Sequence, residues 1–236
     1  MDEHVKIDLD KFEWAVFIYN SMESDKEYYE ALSKLRDDKK HGKIIIEFLN
    51  KWKTRVPNAF ENKIDNWYKE TGKELLNYLK FKSIDNVDIE NIKVEKTIKK
   101  LYTSLSNLQV DIKNKNGTKQ RNFCKVATGK ALHILIPGLF VSWDTPILSG
   151  YGIKDNEGAV GYIRFLKKMK CLAIEIRSFR NDEEEFLNKH ISENNNVKYL
   201  NEINGKTLAK FLDEYNWIIY TNRVNLPPKW YPNKKF

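Results

Sequence analysis

The spacing of apolar residues is the feature that most restricts the fold of this chain. Apolar side chains recur every three or four positions in one segment after another, as at Phe12, Ala15, Val16 and Tyr19. This period is that of one face of an α-helix. With 10 glycines and 6 prolines in 236 residues, turn-forming residues fall below the average usage of about 12%. The pattern predicts an all-α fold, with any sheet confined to a short hairpin near 109–122.

Stripes of the same spacing predict helices along most of the chain. Pro137-Gly138 ends one of them because proline cannot continue the hydrogen-bond ladder, and Thr145-Pro146 predicts the start of a short helix capped by Thr145. The acidic residues near 181–196 predict a further helix start. The longer stripes lie at Ile45–Trp52, Leu75–Leu79, Val94–Leu108, Phe123–Leu135, Ala159–Arg180 and Leu208–Tyr220.

The composition predicts a large core rather than a disordered chain. Hydrophobic residues make up 41% of the sequence, which is enough to bury a substantial interior. We expect two helical layers around a shared core, 1–110 and 119–226, followed by a surface tail at 227–236. The core is expected to contain Trp14, Phe48, Trp52, Leu101, Leu132, Leu135, Phe140, Phe165, Leu166 and Phe211.

The net charge favours a nucleic-acid partner. Lys and Arg number 41 against 33 Asp and Glu, which gives +8, and the cations are spread along the chain. Such a surface attracts phosphate, with DNA favoured over RNA here, and the affinity falls as salt rises. A bias of the genome towards lysine and asparagine codons explains the same composition without a partner. A protein partner is left open.

Other classes of function have little support in the sequence. No stretch approaches the ~18 consecutive apolar residues of a membrane span, and the N-terminus opens with acidic residues, so we expect a soluble, cytoplasmic protein. The four histidines lack metal-ligand spacing, and we expect no metal or other cofactor. Cys124 and Cys171 are expected to be buried free thiols.

Residues 122–153 carry the most specific pattern. A helix with Gly129 and Lys130 near its start is followed by a Pro-Gly break and by Asp144, just before a Thr-Pro helix start. This order, over about 30 residues, resembles the helix-hairpin-helix DNA glycosylase superfamily. In that family a glycine-containing hairpin leads into a helix that begins Gly-x-Lys-Thr-Ala, and a later loop carries the catalytic aspartate of an Asp-Thr-His segment. Here the segment 125–129 keeps one glycine of the hairpin.

The resemblance implies a helical, glycosylase-like fold with a helix-hairpin-helix segment within 119–226. It also implies a DNA-binding hydrolase of DNA repair, an N-glycosylase or AP lyase that excises a damaged or mismatched base. Lys130 would attack the sugar C1′ as an amine. Asp144 would take a proton or stabilise the developing positive charge. There is no cysteine cluster of the kind that holds an iron-sulfur centre in some members, so no such cofactor is implied.

Several further residues are candidates for nucleic-acid contact. A buried core position is the more common role of a large aromatic such as Trp143, and stacking on a displaced base is its alternative role. A structural, hydrogen-bonded position is likewise the more common role of His133, and an acid/base partner of Lys130 is the alternative. The basic segment 46–55 is interpreted as a core helix with a solvated face. The candidate contacts are Gly129, Lys119, Arg121, Lys125, Trp143 and His133.

Two other functions fit the same sequence. In the first, a non-catalytic nucleic-acid-binding helical protein uses Lys130 for phosphate contact and Asp144 as a helix cap. In the second, a helical interaction module presents an aromatic surface to a protein partner. Convergence of the Lys130 amine and the Asp144 carboxylate in one basic pocket would favour the enzyme.

Overall fold

The computed structural model describes residues 7–37, 40–115, 117–180 and 206–225. These residues are mostly helical, with one two-stranded sheet, which confirms the prediction of an all-α class. The predicted helix start in the acidic segment 181–196 and the predicted tail 227–236 lie outside the described residues.

The helices follow the predicted stripes closely. A 3-10 turn at Asn58–Phe60 and π turns at Tyr68–Gly72 and Trp217–Thr221 join or extend some of them. The helices and strands are α1 (Leu9–Met22), α2 (Lys26–Asp37), α3 (His41–Lys51), α4 (Glu61–Trp67), α5 (Lys73–Leu79), α6 (Ile92–Ser106), β1 (Gln109–Asn114), β2 (Gly117–Asn122), α7 (Lys125–Leu135), α8 (Thr145–Gly150), α9 (Gly158–Arg180) and α10 (Leu208–Asn216).

Side-chain caps fix where several helices begin. The Asn91 side chain accepts a hydrogen bond from the backbone N–H of Lys93 at the start of α6, as a good N-cap residue does. At α8 the prediction was wrong by one residue: the cap is Asp144, not Thr145, because the Asp144 carboxylate accepts from the backbone N–H of Ile147 at 2.9 Å. Thr145 is the first residue of the helix.

The sheet is the β-hairpin expected near 109–122. Strands β1 and β2 pair antiparallel, with Val110 opposite Arg121 and Ile112 opposite Lys119. Every residue of β2 is exposed, whereas Val110 is buried against the core. The β-hairpin therefore leaves its second, basic strand open to solvent.

One apolar cluster runs from Ile7 to Leu212 and draws residues from both sides of the β-hairpin. Most of the predicted core residues are buried in it. Trp14, Trp52 and Leu135 are only half-buried; Trp52 and Leu135 lie at the C-terminal ends of α3 and α7.

The packing of α7 and α10 determines what surrounds Lys130. Helix α7 contacts α2, α3 and α6, and α10 contacts α1 and α9. The contact between α1 and α10 includes the rings of Phe12 and Tyr215, whose centroids are 5.7 Å apart. The loop that follows α3 lies against α7 and α10, because its Trp52 contacts the amines of Lys130 and Lys210.

The cysteines differ from expectation in one respect. Cys124 and Cys171 are free, as expected, but both are exposed rather than buried. Cys124 occupies the N-cap of α7, where its sulfur accepts from the backbone N–H of Ala127 at 3.4 Å, and a helix start at the surface leaves the thiol accessible.

Within the described residues, none of the helices combines the length and the apolar character needed to span a membrane.

Candidate functional site around Lys130

Lys130 lies on α7 and is half-buried. Its amine Nζ donates to the backbone oxygen of Trp52 at 3.2 Å and lies 3.5 Å from Oγ1 of Thr54. The same nitrogen is 5.5 Å from the centre of the Trp52 ring, within the range of a cation–π contact. Three contacts from one loop therefore hold this amine in place.

Burial lowers the pKa of Lys130 below its ordinary value. The charges of Asp213 and, more weakly, Asp144 act in the opposite direction without reversing the shift. Removing water from an ammonium group favours its neutral form, and the neutral amine is the form that attacks an electrophilic carbon. The surroundings of Lys130 thus suit an amine nucleophile.

The carboxylate of Asp144 is held by structural hydrogen bonds, whereas its predicted catalytic role requires a carboxylate that is free to act on the substrate. One carboxylate oxygen accepts from the N–H of Ile147, and the other accepts from the hydroxyl of Thr221 at 2.7 Å. No ion pair joins Lys130 to Asp144 in the described part of the chain. The Asp144 charge influences Lys130 through space, while its oxygens fasten α8 to the turn after α10.

A buried group of charges next to Lys130 was missed by the sequence analysis. We call it the α10 charge cluster: Asp25, Lys206, Lys210, Asp213 and Glu214. The amine of Lys210 is 3.1 Å from Asp25, 3.6 Å from Asp213 and 3.3 Å from Glu214. The amine of Lys206 is 2.6 Å from both Asp25 and Glu214.

Lys210 differs chemically from Lys130, although both amines lie near the Trp52 ring. The Lys210 side chain is fully buried, and its amine lies 4.5 Å from the centre of the Tyr19 ring and 5.4 Å from that of Trp52. Burial opposes its charge, but the surrounding carboxylates raise its pKa well above the ordinary value. Lys210 is therefore a locked cation, and Lys130 is the lysine of this site that is suited to nucleophilic chemistry.

The predicted hairpin at 125–129 is instead the start of α7. The backbone N–H of Thr128 donates to the carbonyl of Cys124 at 2.9 Å, so this amide is used within the helix and is not open to a phosphate. A Cβ on Gly129 would lie 2.7 Å from the Trp143 ring. The glycine serves close packing rather than a phosphate-binding turn.

The structure divides the predicted nucleic-acid contacts into two groups. Lys119 and Arg121 are exposed on β2, and Lys125 is half-buried at the start of α7. Gly129, Trp143 and His133 are buried. The second group has no surface to offer a nucleic acid in this conformation.

Trp143 and His133 each have a clear structural environment. The indole N–H of Trp143 donates to the Lys125 carbonyl at 3.1 Å, and its ring meets Tyr102 edge to face. The Nδ1 of His133 bonds to the carbonyl of Phe140 at 2.5 Å, and its ring stacks on Tyr28. Burial lowers the pKa of His133, so the ring is neutral at physiological pH.

No group of three or more metal-ligating side chains occurs in the part of the chain that the structure describes. No family model matches this sequence, and no curated protein or solved structure matches it either. The resemblance of residues 122–153 to the glycosylase superfamily stays a prediction.

Proposed function

We propose that this protein is a DNA-binding protein of glycosylase type in which Lys130 attacks the sugar of a damaged or mismatched nucleotide. The observation that carries the proposal is the half-buried Lys130 amine, held by Trp52 and Thr54, with a pKa lowered by burial. The net charge of +8 supplies attraction for a polyanion.

The proposed reaction uses the electron pair of the neutral Lys130 amine. This pair forms a bond to C1′ of the deoxyribose, and the N-glycosidic bond breaks with its electrons leaving on the base, which takes up a proton. After the nitrogen gives up a proton, its lone pair forms the C=N bond while the C1′–O4′ bond breaks; the electrons of that bond leave on O4′, which takes a proton from water, and the product is a protonated imine between Nζ and C1′. The negative charges of Asp213 and Asp144 stabilise the positive charge that develops on the sugar and on the amine.

The test is covalent trapping with borohydride. Duplexes that contain uracil, oxidised guanine, an alkylated base or an abasic site are incubated with the protein, and borohydride reduces any imine to a stable amine. We expect an adduct with at least one substrate, and its loss in Lys130→Arg, which keeps the charge and donors but cannot form the imine. Lys96→Gln, an exposed position on α6, is the control and keeps the adduct. No adduct with any substrate would refute the enzymatic proposal.

The pH dependence of trapping gives a second measurement. Lysine reacts only when neutral, and the Lys130 pKa lies below the ordinary 10.5. The initial rate of adduct formation should therefore rise with pH and reach its midpoint below 10.5. A midpoint at or above 10.5 would show that burial does not activate this amine.

A second candidate function is non-catalytic binding of nucleic acid. It is favoured by the engagement of both Asp144 oxygens in structural hydrogen bonds and by the exposed cations of β2. This function requires salt-sensitive binding without any adduct, so the trapping assay and a binding assay on the same duplexes separate the two.

A further inference from the structure

The loop Trp52–Val56, which contacts Lys130, is rigidly held. We call it the Trp52 loop. The side chain of Asn50 accepts from the backbone N–H of Val56 at 2.7 Å and donates to its carbonyl at 2.9 Å. This pair of hydrogen bonds closes the loop, because it joins Asn50 to Val56, six residues later. The segment 46–55, interpreted from sequence as one helix with a solvated basic face, thus ends its helix at Lys51 and continues as an ordered loop.

Two residues of the Trp52 loop, separated by Thr54, have an unusual backbone conformation. Lys53 has φ of 58° and Arg55 has φ of 53°, in the left-handed region that L-residues other than glycine, asparagine and aspartate seldom adopt. Thr54, between them, is half-buried and meets the Lys130 amine, whereas both flanking cations are exposed. Non-glycine residues held in this region occur preferentially at functional sites.

The cations of this loop are not paired with other described residues of the protein. Over the ranges that the structure describes, neither Lys53 nor Arg55 forms an ion pair. Their neighbour Lys51, by contrast, lies 3.5 Å from a carboxylate oxygen of Glu30. Two exposed cations thus lie on a fixed loop, one on each side of the residue that touches Lys130. They form a surface suited to a polyanion.

We propose that the Trp52 loop is a phosphate-binding element, in which Lys53 and Arg55 bind backbone phosphates of the DNA strand whose sugar lies at Lys130. This inference rests on the proposed function and adds the element that positions the strand. Because Thr54 joins the two cations to the Lys130 amine, phosphates bound at Lys53 and Arg55 fix the distance of the intervening sugar from that amine.

The neighbouring elements connect the loop to the β-hairpin, which carries a second basic segment. The 3-10 turn Asn58–Phe60 follows the loop directly and packs against β1, with the rings of Phe60 and Phe123 5.3 Å apart. Phe123 in turn follows β2, which carries Lys119 and Arg121. The 3-10 turn and β1 thus link the Trp52 loop to the β-hairpin, and further phosphate contacts at the β-hairpin would help to fix the register of the DNA.

The test compares variants that remove the two charges while keeping the backbone. Lys53→Asn/Arg55→Asn uses asparagine because it tolerates the left-handed region, and the glycine pair at the same positions is a second version that removes any strain. Lys96→Gln/Lys100→Gln, two exposed lysines of α6, is the matched control for charge. Fluorescence anisotropy with a duplex containing a reduced abasic site is measured at several salt concentrations.

We expect the plot of log affinity against log salt to become less steep by about 1.8 in the loop variants, from about 0.9 per lost phosphate contact, and to change clearly less in the control. Lys53→Arg/Arg55→Lys should keep the wild-type slope. If the wild-type protein binds but the asparagine and glycine pairs match the control, the loop proposal is wrong and the proposed function stands. If the wild-type protein does not bind DNA at low salt, both are wrong.

Discussion

Asp144 has a structural role as a helix cap and a proposed catalytic role, and substitutions at this position separate the two. Asp144→Ala should lower the free energy of unfolding by about 1 kcal/mol because α8 loses its cap, whereas Asp144→Asn should cost much less since asparagine caps equally well. Urea unfolding measures both. If the Asp144 charge assists Lys130, Asp144→Asn must also reduce trapping while leaving DNA affinity almost unchanged.

Equal trapping by Asp144→Asn and the wild-type protein would remove Asp144 from the chemistry and leave Asp213 as the carboxylate that acts on Lys130. A loss of stability in the asparagine variant as large as in the alanine variant would mean that the bond from the Thr221 hydroxyl, rather than the cap, is the important contact of this carboxylate.

Single residues were the scale at which the sequence left most open. For Trp143 it allowed both a core position and base stacking, and the structure places the indole in the core, in space on α7 that Gly129 leaves free. A sequence shows where a glycine lies but not which neighbouring side chain occupies the space beside it. His133 was ambiguous for the same reason, because burial and the Phe140 carbonyl depend on tertiary packing.

At the scale of elements, the α10 charge cluster attaches α10 to the connection between α1 and α2, where Asp25 lies. Removing Lys210 alone leaves three buried carboxylates against one lysine, so Lys210→Met should lower the free energy of unfolding by about 3–5 kcal/mol. The double variant Lys210→Met/Glu214→Leu keeps the balance of the remaining charges and should lose less than Lys210→Met alone. A double-mutant cycle from urea unfolding, completed with Glu214→Leu, measures this coupling.

Additive effects of the two substitutions would show that Lys210 and Glu214 do not stabilise each other. In that case the cation–π contacts of Lys210 with Tyr19 and Trp52, rather than its ion pairs, would account for the stability of this region.

Helices were predicted well where one face is apolar and the opposite face is exposed to solvent. Helices α6, α7 and α9 lie close to the stripes that indicated them, and the hairpin expected near 109–122 is the pair of strands β1 and β2. The charges of α10 gave no such signal. Lys210, Asp213 and Glu214 share a face by their spacing, which in an isolated helix is typical of a solvated surface; only the packing of α1 and α2 against that face buries it.

At the scale of the whole molecule, exposed cations lie on two separate elements. The Trp52 loop carries Lys53 and Arg55, and β2 carries Lys119 and Arg121. The sequence could indicate both basic segments but not the link between them, because the contact between the 3-10 turn and β1 joins residues some 50 positions apart.

The last prediction concerns the β-hairpin. Lys119→Gln/Arg121→Gln should weaken binding of duplex DNA and make the salt dependence less steep by about 1.8, since each lost phosphate contact removes about 0.9 from the slope. Trapping at saturating protein should be unchanged, because these cations position the backbone and do not touch the reacting sugar. Anisotropy across a salt series and borohydride trapping on the same duplex measure the two effects.

Combining the β-hairpin and Trp52 loop substitutions tests whether one DNA molecule spans both elements. Contacts made independently to the same duplex should add, so the slope of the fourfold variant should fall by about 3.6. If the β-hairpin variant loses trapping at saturation, its cations act on the chemistry and not only on position. If the fourfold variant loses no more than either pair, the two elements do not bind the same DNA molecule.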